Sequence, residues 1–221
     1  MGLETRAEFG GSVEQSRLVG PVLERFRNVH RIAVLRGGGL GDLMFALPAV
    51  EALKAAYPEA VITLLGTGLH AALLKDRPGP ISRVAILPPA EGVRPGIPDA
   101  AAVEKFFTRM VREEFDLAVQ LHGGGRNSNP FLLRLKARHT VGTRTADAAA
   151  LERTIPYVYY QHEVFRALEV VGLAGAEPQS LEPRIQVTPE ESAAATDRLG
   201  DAAPLVSIHP GATDARRRWP A

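Results

Sequence analysis

Between residues 32 and 121 the chain carries four short, nearly continuous apolar runs, at 32–35, 61–65, 84–87 and 117–121, many of their side chains β-branched. Runs that are apolar throughout, not at alternate positions, suit strands covered on both faces, as in a parallel sheet. Between the first two, Leu43, Ala46, Leu47, Val50, Leu53 and Tyr57 recur at helical spacing, with Pro48 expected to kink the helix or delay its regular part. Residues 98–115 place Val103, Phe106, Phe107, Met110 and Val111 on one side of a second helix. Further helices are expected at 129–136 and 162–172, and a short one near 13–26. Strands alternating with helices predict an α/β fold, a doubly wound Rossmann-like layer.

Turn-rich composition marks 92–98 and, more strongly, 175–189. The second stretch reads as a boundary. We divide the chain into a lead-in at 1–28, a Rossmann-like domain at 29–175, a linker and helix at 176–203, and the start of a second domain at 204–221. That last piece offers one strand, 205–208, and an ending at Trp219-Pro220-Ala221 that suits a helix about to begin, since proline is favoured in a first turn. A lone parallel strand builds no core, so the expectation is a fragment or a protein lacking most of its second domain.

The first strand runs into Arg36-Gly-Gly-Gly-Leu-Gly-Asp42, where a helix should start. Glycines permit positive φ and close approach, and the first amides of a helix attract anions. Asp42 can serve as a helix N-cap, as a general base, or as both. Neither glycine frame gives Gly-x-Gly-x-x-Gly, because Asp42 or Met44 stands where the third glycine belongs, and no Gly-Lys-Ser/Thr follows to make a P-loop.

A second glycine turn, His122-Gly-Gly-Gly-Arg126, follows the fourth strand. It resembles an esterase oxyanion loop, but no Gly-x-Ser-x-Gly accompanies it. The carboxyl end of a parallel strand is where such sheets bind ligands, and Arg126 offers a planar donor fork there or lies solvated. The histidines show no metal-ligand spacing, and His162-Glu163 reads as a helix start. At 209–220, clustered arginines and the single tryptophan follow a Gly turn, as either a basic loop for a diphosphate or a surface loop.

Composition narrows the field. A net charge of +1 argues against nucleic-acid coating, and the absence of cysteine removes disulfides, thiolate catalysis and Cys-ligated zinc. No stretch spans a bilayer and no signal-peptide core is evident, so a soluble cytoplasmic protein is expected.

Four segments, taken in order, resemble glycosyltransferase family 9, the bacterial heptosyltransferases. They are Arg36–Asp42 continuing through Pro58, Asp116–Arg126 with Ser128-Asn-Pro130, His162-Glu163 leading into Leu168–Gly172, and Ser207–Gly211 through Arg217-Arg-Trp-Pro220. The resemblance implies a GT-B architecture, with acceptor on the first domain and nucleotide sugar on the second. It implies inverting, metal-independent transfer to a lipopolysaccharide-core or related glycan, with no cofactor and with contact at the inner membrane surface. Asp42 would be the base. Arg36, Gly39, Gly41 and Arg126 would meet the acceptor; Arg217 and Arg218 would meet the donor phosphates. The donor would be a nucleotide sugar such as ADP-heptose. Arg217 stands where the family commonly has Lys, which changes reach and hydrogen-bond geometry. A chain ending at Ala221 would lack the nucleotide loop and transfer poorly by itself. The rival readings are a non-catalytic glycan- or nucleotide-binding module and, against the glycine spacing, an NAD or FAD oxidoreductase.

Overall fold

A computed structural model describes residues 19–200, 204–212 and 215–219. The chain divides into two units, the first ending at Ile185 and the second beginning at Gln186.

In the first unit the apolar runs form strands β1 (Arg31–Leu35), β2 (Val61–Gly66), β3 (Arg83–Ile86) and β4 (Leu117–Gln120). Two further strands, β5 (His139–Arg144) and β6 (Arg153–Pro156), complete one sheet in the order β3-β2-β1-β4-β5-β6, with every pairing parallel. Helices α1 (Leu40–Ala56), α2 (Gly68–Leu74), α3 (Ala100–Val111) and α4 (Ser128–Leu133) connect the first five strands in turn, and α5 (Glu163–Gly172) follows β6. The fold is Rossmann-like, as expected.

Both faces of the sheet are covered, which is why its central strands read as unbroken apolar runs. Ile32 and Val34 of β1 join α1 and α5 in one core, while Ala33 and Leu35 join Phe106, Phe107 and Met110 of α3 and Leu132 of α4 in the other. Each fully buried leucine contributes about 1.5–3 kcal/mol. Helix α1 runs continuously through Pro48, whose own position is buried.

Two expectations need correction. The helix expected at 13–26 falls partly outside the described residues, and its described part, 19–26, contains no helix. Instead Gly20 takes a φ of +58°, Pro21 follows, and Leu23 N–H donates to Gly172 O, holding this strap on the end of α5. The strand expected at 205–208 is likewise not formed. A parallel strand requires a neighbour for its backbone groups, and the described residues of the second unit include no other strand. That unit holds α6 (Pro189–Leu199), capped reciprocally by Thr188 and Glu191, and one 3₁₀ turn, Ala215–Arg217.

The strand order fixes where a site can form. From β1 the chain winds outward through β2 and β3, then returns to the other side of β1 for β4, β5 and β6. The connections after β1 and β4 therefore diverge from adjacent strand ends, where Leu35 lies opposite Gln120. Such a switch point opens a crevice at the carboxyl edge of the sheet. Both glycine-rich turns lie there.

Candidate active site

The first turn is organised by charge. Gly38 has a φ of +91°, and a Cβ on it would lie 2.4 Å from Asp42 Oδ2, so the conformational demand of this turn falls on Gly38. Gly39 caps α1 in an extended conformation, and Gly41 lies inside the helix with open space around it. Asp42, in the first helical turn, reaches back so that Oδ2 accepts from Gly39 N–H at 2.8 Å. This is half of a capping box, since glycine has no side chain to return the bond. The carboxylate also benefits from the positive end of the helix dipole.

Arg36 stands behind that carboxylate and is only 5% exposed. Its Nε donates to Asp42 O at 3.0 Å, its Nη2 to Asp42 Oδ1 at 2.8 Å, and its Nη1 to Leu121 O. One guanidinium thus joins the turn after β1 to the chain leaving β4. Glu163, at the start of α5, accepts from the same Nη2 at 3.3 Å through Oε2, while its Oε1 pairs with Arg166. The side chains of Asp42 and Glu163 remain 48% and 37% exposed, so the acids face outward from a buried cation.

Sequence reasoning passed over His70. It is fully buried, its Nδ1 accepts from Thr67 N–H at 3.3 Å, and its Nε2 lies 3.1 Å from Gly39 O. An Nδ1 that accepts fixes the proton on Nε2, so the ring is neutral and donates to the Gly39 carbonyl. Burial pushes the His70 pKa down, partly opposed by the bond to Gly39 and by Asp42, while Arg36 adds to the lowering. Its only sequence signal is a histidine after Gly66-Thr67-Gly68, at the carboxyl end of β2 beside β1.

Neutral amides organise the second turn. Gln120, wholly buried, donates through Nε2 to His122 O at 2.9 Å, Gly123 O at 3.1 Å and Ser128 Oγ at 2.6 Å. Thr143 of β5 donates to Gly123 O at 2.6 Å, and Asn129, also buried, donates to Thr143 O and Ala149 O. Gly125, at φ +96°, leaves no room for a Cβ, which would lie 2.6 Å from Asn129 Nδ2. His122 is held 3.1 Å from Gly92 O, and its pKa is lowered by burial and then by Arg36. Arg126 projects into solvent, with Asp147 at 3.6 Å, over an open depression lined by Gly123, Gly124, Thr145 and Tyr157.

Arg36, Gly39, Gly41 and Asp42 thus share one turn, and Arg126 belongs to the adjacent one. Arg217 and Arg218 belong to the second unit, where Arg218 Nε donates to Ala212 O at 2.7 Å and Trp219 N–H to Pro210 O. Trp219 is 75% exposed. Among the described residues no group of three or more His, Asp or Glu side chains could hold a metal ion, and no helix is long and apolar enough to cross a membrane.

None of the curated proteins matches the chain. Among solved structures, a glycosyltransferase family 9 protein from Veillonella parvula aligns with a TM-score of 0.62 at 16% identity, covering 86% of this chain and 56% of that one. The E. coli ADP-heptose LPS heptosyltransferase II aligns at 0.51 and 18% identity, covering 79% and 51%. The E. coli heptosyltransferase WaaC with ADP-2-deoxy-2-fluoro heptose aligns at 0.51 and 18%, covering 68% and 50%. The chain therefore spans about half the length of these structures, and at such identities the likeness is one of fold, the GT-B type. Residues 103–221, more than half of the chain, match Glycosyltransferase family 9 (heptosyltransferase). That match begins within α3 and carries the second glycine turn, the start of α5 and the arginine cluster, though not Asp42. The chain belongs to glycosyltransferase family 9.

Proposed function

We propose that the complete protein transfers a sugar from a nucleotide-sugar donor to a hydroxyl of a glycan or glycolipid acceptor, inverting the anomeric centre, with Asp42 as general base. The observation that carries this reading is the placement of Asp42. Its carboxylate sits at the sheet's switch point, held from behind by Arg36 and Gly39 N–H, with half of the side chain open to the crevice.

The chemistry asks little else of the protein at that atom. An aspartate has a reference pKa near 3.9 and does not deprotonate a free alcohol to any extent. It accepts the proton as the acceptor oxygen bonds to the anomeric carbon and becomes acidic, while the bond from that carbon to the diphosphate oxygen breaks. The proton passes to the carboxylate and then to solvent; the electron pair leaves with the nucleoside diphosphate. Fixed orientation of the carboxylate is what this step requires.

The other residues fit around it. Gly41 lies exposed one position before Asp42 and has no neighbour within 4 Å of its missing Cβ, so an acceptor can approach the helix start closely. Gly39 provides the N–H that holds the base. Arg36, buried and held by protein acceptors at each of its three nitrogens, serves the acceptor by holding Asp42. Arg126 is the cation available to an anionic group on the acceptor, since its exposed pairing with Asp147 is worth at most about 1 kcal/mol. Arg217 and Arg218 supply positive charge for the departing diphosphate. Because one aligned heptosyltransferase carries an ADP-heptose analogue, an ADP-linked heptose is the first donor to screen. The reading places the protein in the cytoplasm, meeting a glycolipid acceptor at the inner face of the membrane, with no metal or cofactor in the transfer step.

Asp42→Asn, which keeps an acceptor oxygen for Arg36, should lower transfer by about 10²–10⁴-fold in the complete protein with the melting temperature nearly retained. Near-normal turnover by a correctly folded variant would remove Asp42 from the mechanism.

A further inference from the structure

We propose that Glu163 is a positioning residue for Asp42, acting through the buried guanidinium of Arg36. The inference rests on the reading of Asp42 as the base. Its starting point is an imbalance in burial. Arg36 is almost wholly enclosed, whereas its two acidic partners are open to solvent. A buried cation needs counter-charge and filled donor positions; its partners do not need it for their own solvation. The expense of burying Arg36 is thus explained by what it orients.

A guanidinium is a flat fork, and its plane is fixed only when it is held at more than one edge. Asp42 holds Nε through its carbonyl and Nη2 through Oδ1, while Leu121 O holds Nη1. Glu163 Oε2 supplies a second acceptor to Nη2, reaching in from α5, 127 positions further along the chain. With that acceptor gone, Nε and Nη1 keep their carbonyls, but Nη2 would have Asp42 Oδ1 alone, so that edge could tip toward Asp42 and shift the carboxylate with it.

Glu163 is itself fixed. Its Oε1 pairs with Arg166 Nη1, and Arg166 Nη2 donates to the carbonyls of Val158, Tyr159 and Gln161 with its guanidinium 4.4 Å over the ring of Tyr157. Asp42, Arg36, Glu163 and Arg166 form one row of alternating charge running from the base to the loop after β6. A glutamate in a first helical turn also favours its helix through the dipole. That local role needs neither Arg36 nor Arg166, so the two roles separate experimentally.

Glutamine at this position has one acceptor oxygen and cannot serve both arginines. In the complete protein, Glu163→Gln should lower kcat by about 10–100-fold with KM for donor and acceptor nearly unchanged. Glu163→Asp should recover part of the loss. A second readout does not depend on transfer: Arg36 Nη protons, observed by NMR, should exchange positions slowly in the parent and rapidly in Glu163→Gln. Unchanged kcat with a lower melting temperature would make Glu163 a helix-terminus residue only and overturn the proposal. So would Arg36 resonances indifferent to the substitution. If Asp42→Asn transfers normally, the base assignment fails, while the Arg36 resonances still decide whether Glu163 holds that guanidinium.

Discussion

The two glycine turns at the switch point start from adjacent strand ends yet are built from opposite materials. Behind the first stand a buried arginine and two half-open carboxylates. Behind the second stand Gln120, Asn129, Thr143 and Ser128, all buried and all neutral. Each turn also has a histidine on a carbonyl, His70 at Gly39 and His122 at Gly92. A neutral network enclosed on all sides holds backbone shape, and its bonds matter because nothing else satisfies those groups. A charged network open on one side holds a reactive group in place, and water can replace part of what it loses. On the proposed reading of Asp42, the same fold position serves chemistry in one turn and shape in the other.

Removing Gln120 should expose that difference most strongly. Gln120→Ala strips the carbonyl of His122 of its side-chain donor and leaves a void next to Ser128 and Thr143. The expected loss is about 2–4 kcal/mol of folding stability, from unsatisfied buried groups plus the cavity. For a chain of this size that lowers the melting temperature by about 5–15 °C. Asp42→Asn should show the reverse pattern, with chemistry lost and stability nearly kept. A Gln120→Ala protein that melts normally but transfers a hundredfold more slowly would mean that the second turn also takes part in the chemistry.

Glycine substitutions sharpen the contrast with smaller effects. Gly125→Ala meets both a positive φ and the side chain of Asn129, and should cost about 1–3 kcal/mol. Gly41→Ala lies in a helical turn with free space and should gain up to about 1 kcal/mol. Equilibrium unfolding in urea distinguishes the two. In the complete protein, a more stable Gly41→Ala with a raised acceptor KM would place the acceptor against this helix start; a destabilised one would show that the fold itself needs the glycine.

What the sequence disclosed follows from how each element is buried. Strands β1, β2 and β4 are enclosed on both faces and announce themselves as apolar runs. Strand β5 reads His-Thr-Val-Gly-Thr-Arg because Thr140 and Thr143 are buried for their hydrogen bonds, and edge strand β6 is only partly covered. Neither carries a periodic apolar signal. Helix α2 spans seven residues, too few for one. The turn at Asp42 was legible because glycines and acid are adjacent in the chain. Its supports were not: Glu163 and His70 reach it only through the winding of the sheet, and Gly38, one glycine among several, takes the strained conformation. The run at 205–208 shows the converse failure, since apolar residues suit a strand but do not provide its neighbour.

The two histidines supply the finest comparison, because their turns differ in how far they depend on a neutral ring. His70 must accept from Thr67 N–H through Nδ1, and a protonated ring cannot. Burial lowers its pKa in the folded chain below the 6.5 of an unperturbed histidine, so the unfolded chain binds the proton more readily. Stability from this group is therefore complete above about pH 6.5 and is lost as pH falls from there toward the lower folded value. The slope cannot exceed about 1.4 kcal/mol per pH unit for one proton. His122 shifts in the same direction and contributes its own share, so the parent protein reports both. Unfolding free energies at pH 5, 6, 7 and 8 for the parent and for His70→Gln, which cannot titrate, isolate the difference. We expect a shallower decline in the variant below pH 6.5 and parallel curves above it. Identical slopes throughout would show that His70 does not carry the proton-linked loss and leave it to His122, on the turn that is otherwise held by neutral groups.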